Sequence, residues 1–157
     1  MSNEIERKLT LGELKEALTV FGRTLRYDKI RIFNRPWTRL QKKNMTMAPN
    51  GNVYFQPHAY HSDFSVSKSA MAHLIHELTH VQQYQSGESP VIGYIKNSKY
   101  KYGDLSKATD YRSFGTEQRA SISEDYYRVL NGMPLTEGTG SRADFERIVP
   151  FIPKRRR

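Results

Sequence analysis

The sequence predicts a single α+β domain in which a small antiparallel sheet packs against two long helices. Three observations support this prediction. Apolar residues recur at helical spacing from Ser67 to Gln85, and a second helical pattern runs from Glu117 to Leu130. Short alternating segments separated by turn signals precede the first of these helices. The 157 residues suit one domain with a moderate core, so we expect a single domain over residues 1–157.

The N-terminal third is predicted to form one helix and several short strands. Thr10 and Glu13 form a capping-box pattern, and the apolar stripe after them predicts a helix that ends near Gly22. Residues 29–33 alternate polar and apolar side chains, as a half-buried strand does. Residues 46–48 and 53–55 are further strand candidates around the turn at residues 49–51. The resulting sheet either presents an edge to an extended peptide or simply covers the next helix.

The helix predicted from Ser67 to Gln85 contains the sequence His76-Glu77-Leu78-Thr79-His80, an H-E-x-x-H motif. At about 3.6 residues per turn, His76 and His80 project from one face, where two imidazoles can hold a zinc ion. Glu77 flanks that face and can reach a zinc-bound water as a general base. Behind the motif, an apolar stripe predicts a buried helix face. It consists of Met71, Leu74, Leu78 and Val81.

A catalytic zinc site needs a third protein ligand and an open position. Glu117, at the start of the later helix, is the first candidate, because Ala120 one turn on is small enough for a close helix crossing. Glu124, two turns along the same face, is the reserve ligand. His73 lies one turn before His76, and a third ligand on the same helix would be strained, so we assign it to packing or a polar contact.

Groups around the metal should orient the imidazoles through their second ring nitrogens, and Ser121, Glu124 and Asp125 are the candidates. A hydrogen-bond donor is also needed for the oxyanion of a tetrahedral intermediate. Four tyrosines in and near the loop-rich stretch from 89 to 113 are candidates, and the sequence does not choose between them. They are Tyr94, Tyr100, Tyr102 and Tyr111.

Composition excludes several classes of protein. The chain has no cysteine, which removes disulfides and thiolate zinc sites and leaves His, Asp and Glu as metal ligands. No apolar run approaches a membrane span. The N-terminal residues lack the basic-then-apolar pattern of a signal peptide, so we expect a protein that is cytoplasmic in the producing cell and leaves it only through a specialised machine.

The net charge of +9 is concentrated in two places. Residues 23–43 carry eight basic side chains against the single acid Asp28, and the chain ends in Lys154-Arg155-Arg156-Arg157, which predicts a basic tail over about 150–157. This charge indicates either attraction to an anionic partner or a solvated basic face. No zinc-finger or recognition-helix signature accompanies it, so nucleic acid is not an expected partner.

Three segments together are similar to a known family. His76-Glu-Leu-Thr-His-Val, preceded by Asp63-Phe-Ser and followed by Thr116-Glu-Gln-Arg-Ala-Ser-Ile, resembles the small zincin-like metallopeptidase domains at the C-termini of VgrG and Rhs proteins. The resemblance extends from about Ile30 to Met133. It implies a zincin-like fold and an antibacterial effector of a type VI secretion system. Zn²⁺ would then be held by His76, His80 and Glu117, with Glu77 as the general base.

The sequence therefore predicts a zinc metallopeptidase that hydrolyses peptide bonds and is secreted into target cells. The resemblance adds a VgrG- or Rhs-type carrier and a cognate immunity protein as expected partners. Three alternatives stay open: a zinc hydrolase of peptidoglycan peptides, a non-catalytic module that uses zinc as a structural clip, and a basic nucleic-acid-binding protein whose motif is accidental.

Overall fold

Two long helices lie at the centre of the fold. In the computed structural model, which describes residues 5–153, α2 spans Lys68–Gln85 and α4 spans Thr116–Leu130. They make the most extensive contact between any two of the described elements. Leu74, Leu78 and Ile122 are fully buried between these helices and the rest of the core. The two helices expected from the sequence are thus present and packed on each other.

Three shorter α-helices surround this pair within residues 5–153. They are α1 (Leu11–Phe21), α3 (Pro90–Lys96) and α5 (Arg142–Ile148). The capping box expected for α1 is confirmed, because Thr10 accepts a hydrogen bond from the Glu13 amide at 3.1 Å and Glu13 accepts one from the Thr10 amide at 2.9 Å. Helices α3 and α5 were not predicted; α3 lies in a stretch expected to be loop, and Ser89 and Ser141 cap the two helices.

The strands are short. They are β1 (Glu6–Arg7), β2 (Ile32–Phe33), β3 (Val53–Tyr54), β4 (Gly103–Asp104) and β5 (Gly138–Thr139). Strand β1, which was not predicted, is antiparallel to β2, whereas β2 and β3 are parallel, so the sheet is mixed rather than antiparallel. The cause is the long connection through residues 34–52, which returns the chain in the same direction. Strands β4 and β5 form a separate parallel pair.

The segment 46–48 does not form a strand of its own. Met47 makes a single antiparallel bridge to Tyr54, with amide-to-carbonyl distances of 3.2 and 2.8 Å. This bridge occupies the outer edge of β3 at Tyr54. A peptide added as a further strand would therefore meet residues 46–48 before it reached β3.

The start of α4 also differs from the sequence prediction by one residue. The sequence predicts a helix that begins at Glu117, but Thr116 is the first helical residue, and Gly115 is the cap. Gln118 accepts a hydrogen bond from the Gly115 amide at 2.8 Å, which satisfies this donor at the helix start. Glu117 is consequently the second residue of α4.

A buried ion pair holds the N-terminal segment against the residues that lead into α2. The Arg7 guanidinium contacts both carboxylate oxygens of Glu13, at 2.9 and 2.8 Å, and Glu13 is fully buried. Glu13 also accepts from the Phe64 amide at 2.8 Å. Asp63 accepts from Thr10 and from Ser65. The Asp63-Phe-Ser segment thus connects α1 to the beginning of α2.

The C-terminal part of the described chain is packed through Phe151, whose ring lies 5.3 Å from that of Phe21 and 5.5 Å from that of Tyr111. The predicted basic tail covers residues 150–157, and the structure describes it up to residue 153. Residues 154–157 and residues 1–4 of the predicted single domain lie outside the described part of the chain. Among the helices of residues 5–153, none is both long and apolar enough to span a bilayer.

Candidate metal centre and cleft

His76 and His80 lie one turn apart on α2 and are both buried. Their ring centroids are 5.2 Å apart, and the rings are inclined at 77°. Ser67 caps the helix by accepting from the Ala70 amide, and Met71 behind the motif is fully buried. The apolar back of α2 therefore fixes the two imidazoles in one orientation toward α4.

Glu117 of α4 faces both histidines. Its Oε2 lies 3.0 Å from Nε2 of His76, and its Oε1 lies 3.1 Å from Nε2 of His80. The ligand atoms of the three side chains all lie within 4.8 Å of one another. The structure thus brings together the three residues expected to bind zinc, and their role as ligands stays a prediction.

The second ring nitrogen of His80 is held by Gln83, one turn further along α2. The His80 Nδ1–H donates to Oε1 of Gln83 at 2.9 Å, and Nε2 of Gln83 donates to the Thr116 carbonyl at 3.1 Å. Gln83 therefore orients the imidazole and ties α2 to the start of α4. Gln83 was not predicted from the sequence, although its position three residues after His80 was a usable signal.

The second ring nitrogen of His76 is held by Glu124. The two atoms, Nδ1 and Oε2, are 3.2 Å apart, and Glu124 is itself fixed by Arg128 at 3.1 Å. Glu124 was considered both as an orienting residue and as the reserve ligand. It lies where it can orient His76, whereas Glu117 lies between the two Nε2 atoms. Because Nδ1 of both imidazoles donates to an acceptor, it is the Nε2 atoms that face Glu117, and loss of their protons would leave both Nε2 lone pairs on that side for a metal ion.

These donors fit a zinc ion. Two imidazole nitrogens and one carboxylate form the His₂Glu set of catalytic zinc sites, and metal-bound histidines typically donate their other N–H to a carboxylate or carbonyl oxygen. His76 donates to Glu124, and His80 donates to the amide oxygen of Gln83. The arrangement therefore has both the inner donors and the outer acceptors of such a site.

The three side chains also perturb one another electrostatically. Burial alone lowers the pKa of His76, but its hydrogen bonds to Glu117 and Glu124 outweigh that effect and raise the pKa to about 10. Burial raises the pKa of Glu117, whereas the hydrogen bonds from His76 and His80 lower it well below its usual value. The site thus holds a carboxylate opposite two imidazole nitrogens. A divalent cation can take the place of the protons that lie between them.

The site forms the floor of a cleft. Glu77 lines it next to His76 and His80, and within residues 5–153 no hydrogen bond engages the Glu77 carboxylate. The walls are mostly apolar and come from the segment before β3 and from the first turns of α3. They consist of Met45, Met47, Ala48, Pro49, Pro90 and Val91. These wall residues carried no signal in the sequence, because only the fold brings the two segments together.

The structure separates the four candidate tyrosines. Tyr102 donates to Asp125 at 2.6 Å, and Tyr111 is buried against Ser123, so both hydroxyls are engaged within the core. Tyr94 and Tyr100 line the cleft. The Tyr100 ring is stacked on His76, with 5.8 Å between centroids and 20° between planes. Burial and nearby carboxylates raise the pKa of Tyr100, which keeps its hydroxyl protonated as a donor.

Two residues expected near the imidazoles have other surroundings. Asp125 is fully buried and accepts from Tyr102 and from the amides of Thr136 and Glu137, so it anchors the segment before β5. The Ser121 hydroxyl is buried without a hydrogen-bond partner among residues 5–153. Among residues 5–153, neither group forms a hydrogen bond with a histidine. His73 lies 3.1 Å from the Thr46 hydroxyl, in the polar contact expected for it.

The sequence matches no protein-family model. It is 31% identical over 137 residues to the type VI secretion system spike protein VgrG2b of Pseudomonas aeruginosa, an alignment that covers 82% of this chain and 13% of the spike protein. This chain therefore spans only a small part of that relative. The fold is similar to the effector domain of Pseudomonas aeruginosa VgrG2b, with a TM-score of 0.72 and 30% identity over 80% of this chain and 75% of that domain. On this similarity of sequence and fold, the chain belongs to the family of the VgrG2b effector domain.

Proposed function

We propose that this protein is a zinc-dependent peptidase with a zincin-like fold that acts as a type VI secretion effector. The observation that supports the chemistry best is the convergence of His76, His80 and Glu117. Their ligand atoms lie within 4.8 Å of one another on the floor of a cleft. A zinc ion bound by them would act as a Lewis acid and lower the pKa of water toward about 7.

The residues of the chain have separate roles in the proposed reaction. Glu77 accepts a proton at its carboxylate from the water that attacks the scissile carbonyl, and returns that proton to the leaving amine nitrogen. Its position in the cleft next to both histidines, with no competing hydrogen bond within residues 5–153, supports this role. Gln83 and Glu124 keep the two imidazoles in place during the reaction.

Tyr100 is the best placed of the cleft residues to donate to the oxyanion. It lines the cleft, stacks on His76 and is about one-third exposed, at 37%. Tyr94 lines the same cleft. The apolar wall from Met45 to Pro49 is available to contact substrate side chains and exclude water.

The effector role is proposed from the family. The solved relative is described as an effector domain, and the other relative as a type VI secretion spike protein. By analogy, we propose that this chain is carried by a VgrG-type spike into target cells, and that the producing cell protects itself with a cognate immunity protein. Co-expression with neighbouring genes would test the latter, since an immunity protein should bind the purified domain and restore growth.

The decisive test of the chemistry is Glu77→Gln. We expect this variant to keep one zinc per chain by metal analysis and to lose at least about 100-fold in peptide hydrolysis, since general-base catalysis contributes about 10²–10⁴-fold. His73→Gln is the matched control on the same helix and should retain both zinc and activity, because His73 bonds to Thr46 and packs against Phe55 rather than joining the three proposed ligands. Undiminished hydrolysis by Glu77→Gln would refute the assigned role.

Running the same assay on a library of peptides and on purified peptidoglycan sacculi identifies the substrate. Release of new amino termini from the library supports a protein substrate. Release of wall peptides from the sacculi would move the proposal to peptidoglycan hydrolysis with the same residues.

A further inference from the structure

The segment before the cleft wall has an unusual surface composition. Residues 34–46, called the basic loop below, include Arg35, Arg39, Lys42 and Lys43 and no acidic residue. All four cations are exposed, and among residues 5–153 none of them forms a salt bridge. The basic loop therefore presents a concentrated positive charge at the surface.

The basic loop also exposes large apolar side chains. Leu40 is 92% exposed and Trp37 is 39% exposed, and they alternate along the chain with the cations. Arg35 stacks over the Phe33 ring at 4.8 Å, which leaves its charge at the base of the loop. Exposed leucine and tryptophan beside unpaired cations are typical of a surface that meets a partner with both apolar and anionic parts.

Hydrogen bonds hold the backbone of the basic loop, although its apolar side chains are exposed. Gln41 points inward, is only 7% exposed, and accepts from the Trp37 amide at 2.8 Å. Its own amide donates to the Tyr54 carbonyl at 3.1 Å, which joins the basic loop to β3. Gln56 donates to the carbonyls of Gln41 and Lys42 at 3.2 and 3.1 Å. The backbone is thus held by two glutamines, and this conformation directs Leu40 outward.

We propose that the basic loop docks the domain on an anionic phospholipid bilayer. Lys and Arg attract anionic headgroups, while tryptophan and leucine enter the boundary between headgroups and acyl chains. A soluble polyanion would neutralise the cations but has no apolar region for Leu40 to contact. A bilayer with anionic headgroups is complementary to both the exposed cations and the exposed apolar side chains. It is therefore the binding partner that we propose for the basic loop.

Because the basic loop adjoins the cleft, docking on a membrane would also position the cleft. The loop ends at residues 45–46, and residues 45–49 form one wall of the cleft above His76 and His80. A docked domain would therefore hold the mouth of the cleft close to the membrane surface. Lipid binding itself does not depend on the proposed hydrolysis, so the two proposals fail independently.

Trp37 is the only tryptophan of the chain, so its fluorescence reports directly on the basic loop. We expect vesicles that contain phosphatidylglycerol to shift the emission of Trp37 to shorter wavelength and to sediment with the protein. Vesicles of pure phosphatidylcholine should do neither. Lipids brominated on the acyl chain should quench Trp37, since interfacial insertion reaches about 5–10 Å below the surface. Raising the salt concentration should weaken binding, because it screens the exposed cations.

Matched variants separate the contribution of this loop from that of the overall charge. Replacing Arg39, Lys42 and Lys43 with Gln should weaken binding on the order of 100-fold, at about fivefold per charge. Leu40→Ser should weaken it about tenfold. The control variant removes three exposed cations from other elements and should change binding only slightly. It replaces Lys15, Lys107 and Arg112 with Gln.

An unchanged far-ultraviolet circular dichroism spectrum and thermal unfolding midpoint show that each variant is folded. Three results would overturn the proposal: no association of the parent protein with phosphatidylglycerol vesicles, association without a change in Trp37 emission, or equal losses in the loop and control variants. Equally tight binding to soluble polyglutamate, again without an emission change, would assign the basic loop to a polyanion instead.

Discussion

At the scale of single residues, the two ring nitrogens of each histidine have different partners. Nε2 of His76 and of His80 both face Glu117, whereas the Nδ1 atoms face Glu124 and Gln83. Glu124 cannot exchange roles with Glu117, because seven residues of helix separate them by about 10 Å. Glu117 is therefore the only one of the two carboxylates that contacts both histidines on the cleft side.

This division predicts different effects of removing the two glutamates. Glu117→Ala should reduce zinc affinity by more than about 100-fold, because it removes a direct ligand. Glu124→Ala should reduce the affinity by about 10–100-fold, because it only releases the His76 ring. Competition with a chromophoric chelator measures both values. A larger loss for Glu124→Ala than for Glu117→Ala would reverse the assignment.

At the scale of elements, α4 carries the proposed ligand and the residue that orients His76 on one face. Glu117 and Glu124 lie two turns apart on that face, and Ala120 lies between them, fully buried. A small residue at this position allows α4 to approach α2 closely enough for Glu117 to reach both imidazoles. The distance between the two helices is thus part of the geometry of the site.

We expect Ala120→Leu to push the helices apart. The extra methyl groups should cost about 1–3 kcal/mol of unfolding free energy, since a well-packed core has no room for them, and zinc affinity should fall with it. Urea unfolding and chelator competition measure the two effects. Ala143→Leu, at an exposed position of α5, is the control and should leave both unchanged. If Ala120→Leu binds zinc like the parent, the helix spacing does not limit the site.

At the scale of the whole molecule, the ion pair of Arg7 with Glu13 joins distant parts of the chain. Arg7 belongs to β1, Glu13 to α1, and Arg7 also donates to the Tyr60 hydroxyl at 2.9 Å and to the His61 carbonyl at 2.8 Å. These contacts hold the N-terminal segment against the residues that lead into α2. The support of the site therefore begins far from it in the sequence.

Breaking this pair on one side should be costly. Arg7→Met leaves the Glu13 carboxylate buried without its counter-charge, which typically costs about 3–5 kcal/mol. Thermal and urea unfolding of the zinc-free protein measure the loss. The double variant Arg7→Met with Glu13→Gln should recover part of it, because the buried group is then neutral and still accepts from the Phe64 amide. No recovery in the double variant would show that the Arg7 contacts, and not the buried charge, dominate.

The local patterns of the sequence predicted the local structure well. The capping box at Thr10 and the apolar stripe of α2 are interactions between residues three or four apart, and each of them predicted a helix close to its observed limits. The sheet was predicted less well, because the mixed pairing of β2 and β3 depends on the path of residues 34–52. Helices α3 and α5 were missed, since seven residues give too little periodicity.

The sequence by itself determined that His76 and His80 share a helix face with Glu77 at its flank, because helical periodicity alone sets that geometry. Only the tertiary structure decided that Glu117, 37 positions after His80, meets both imidazoles, and that Gln83 and Glu124 hold their outer nitrogens. Those contacts depend on how α2 and α4 cross. The crossing is set by side-chain packing between distant segments, which no local pattern of residues specifies.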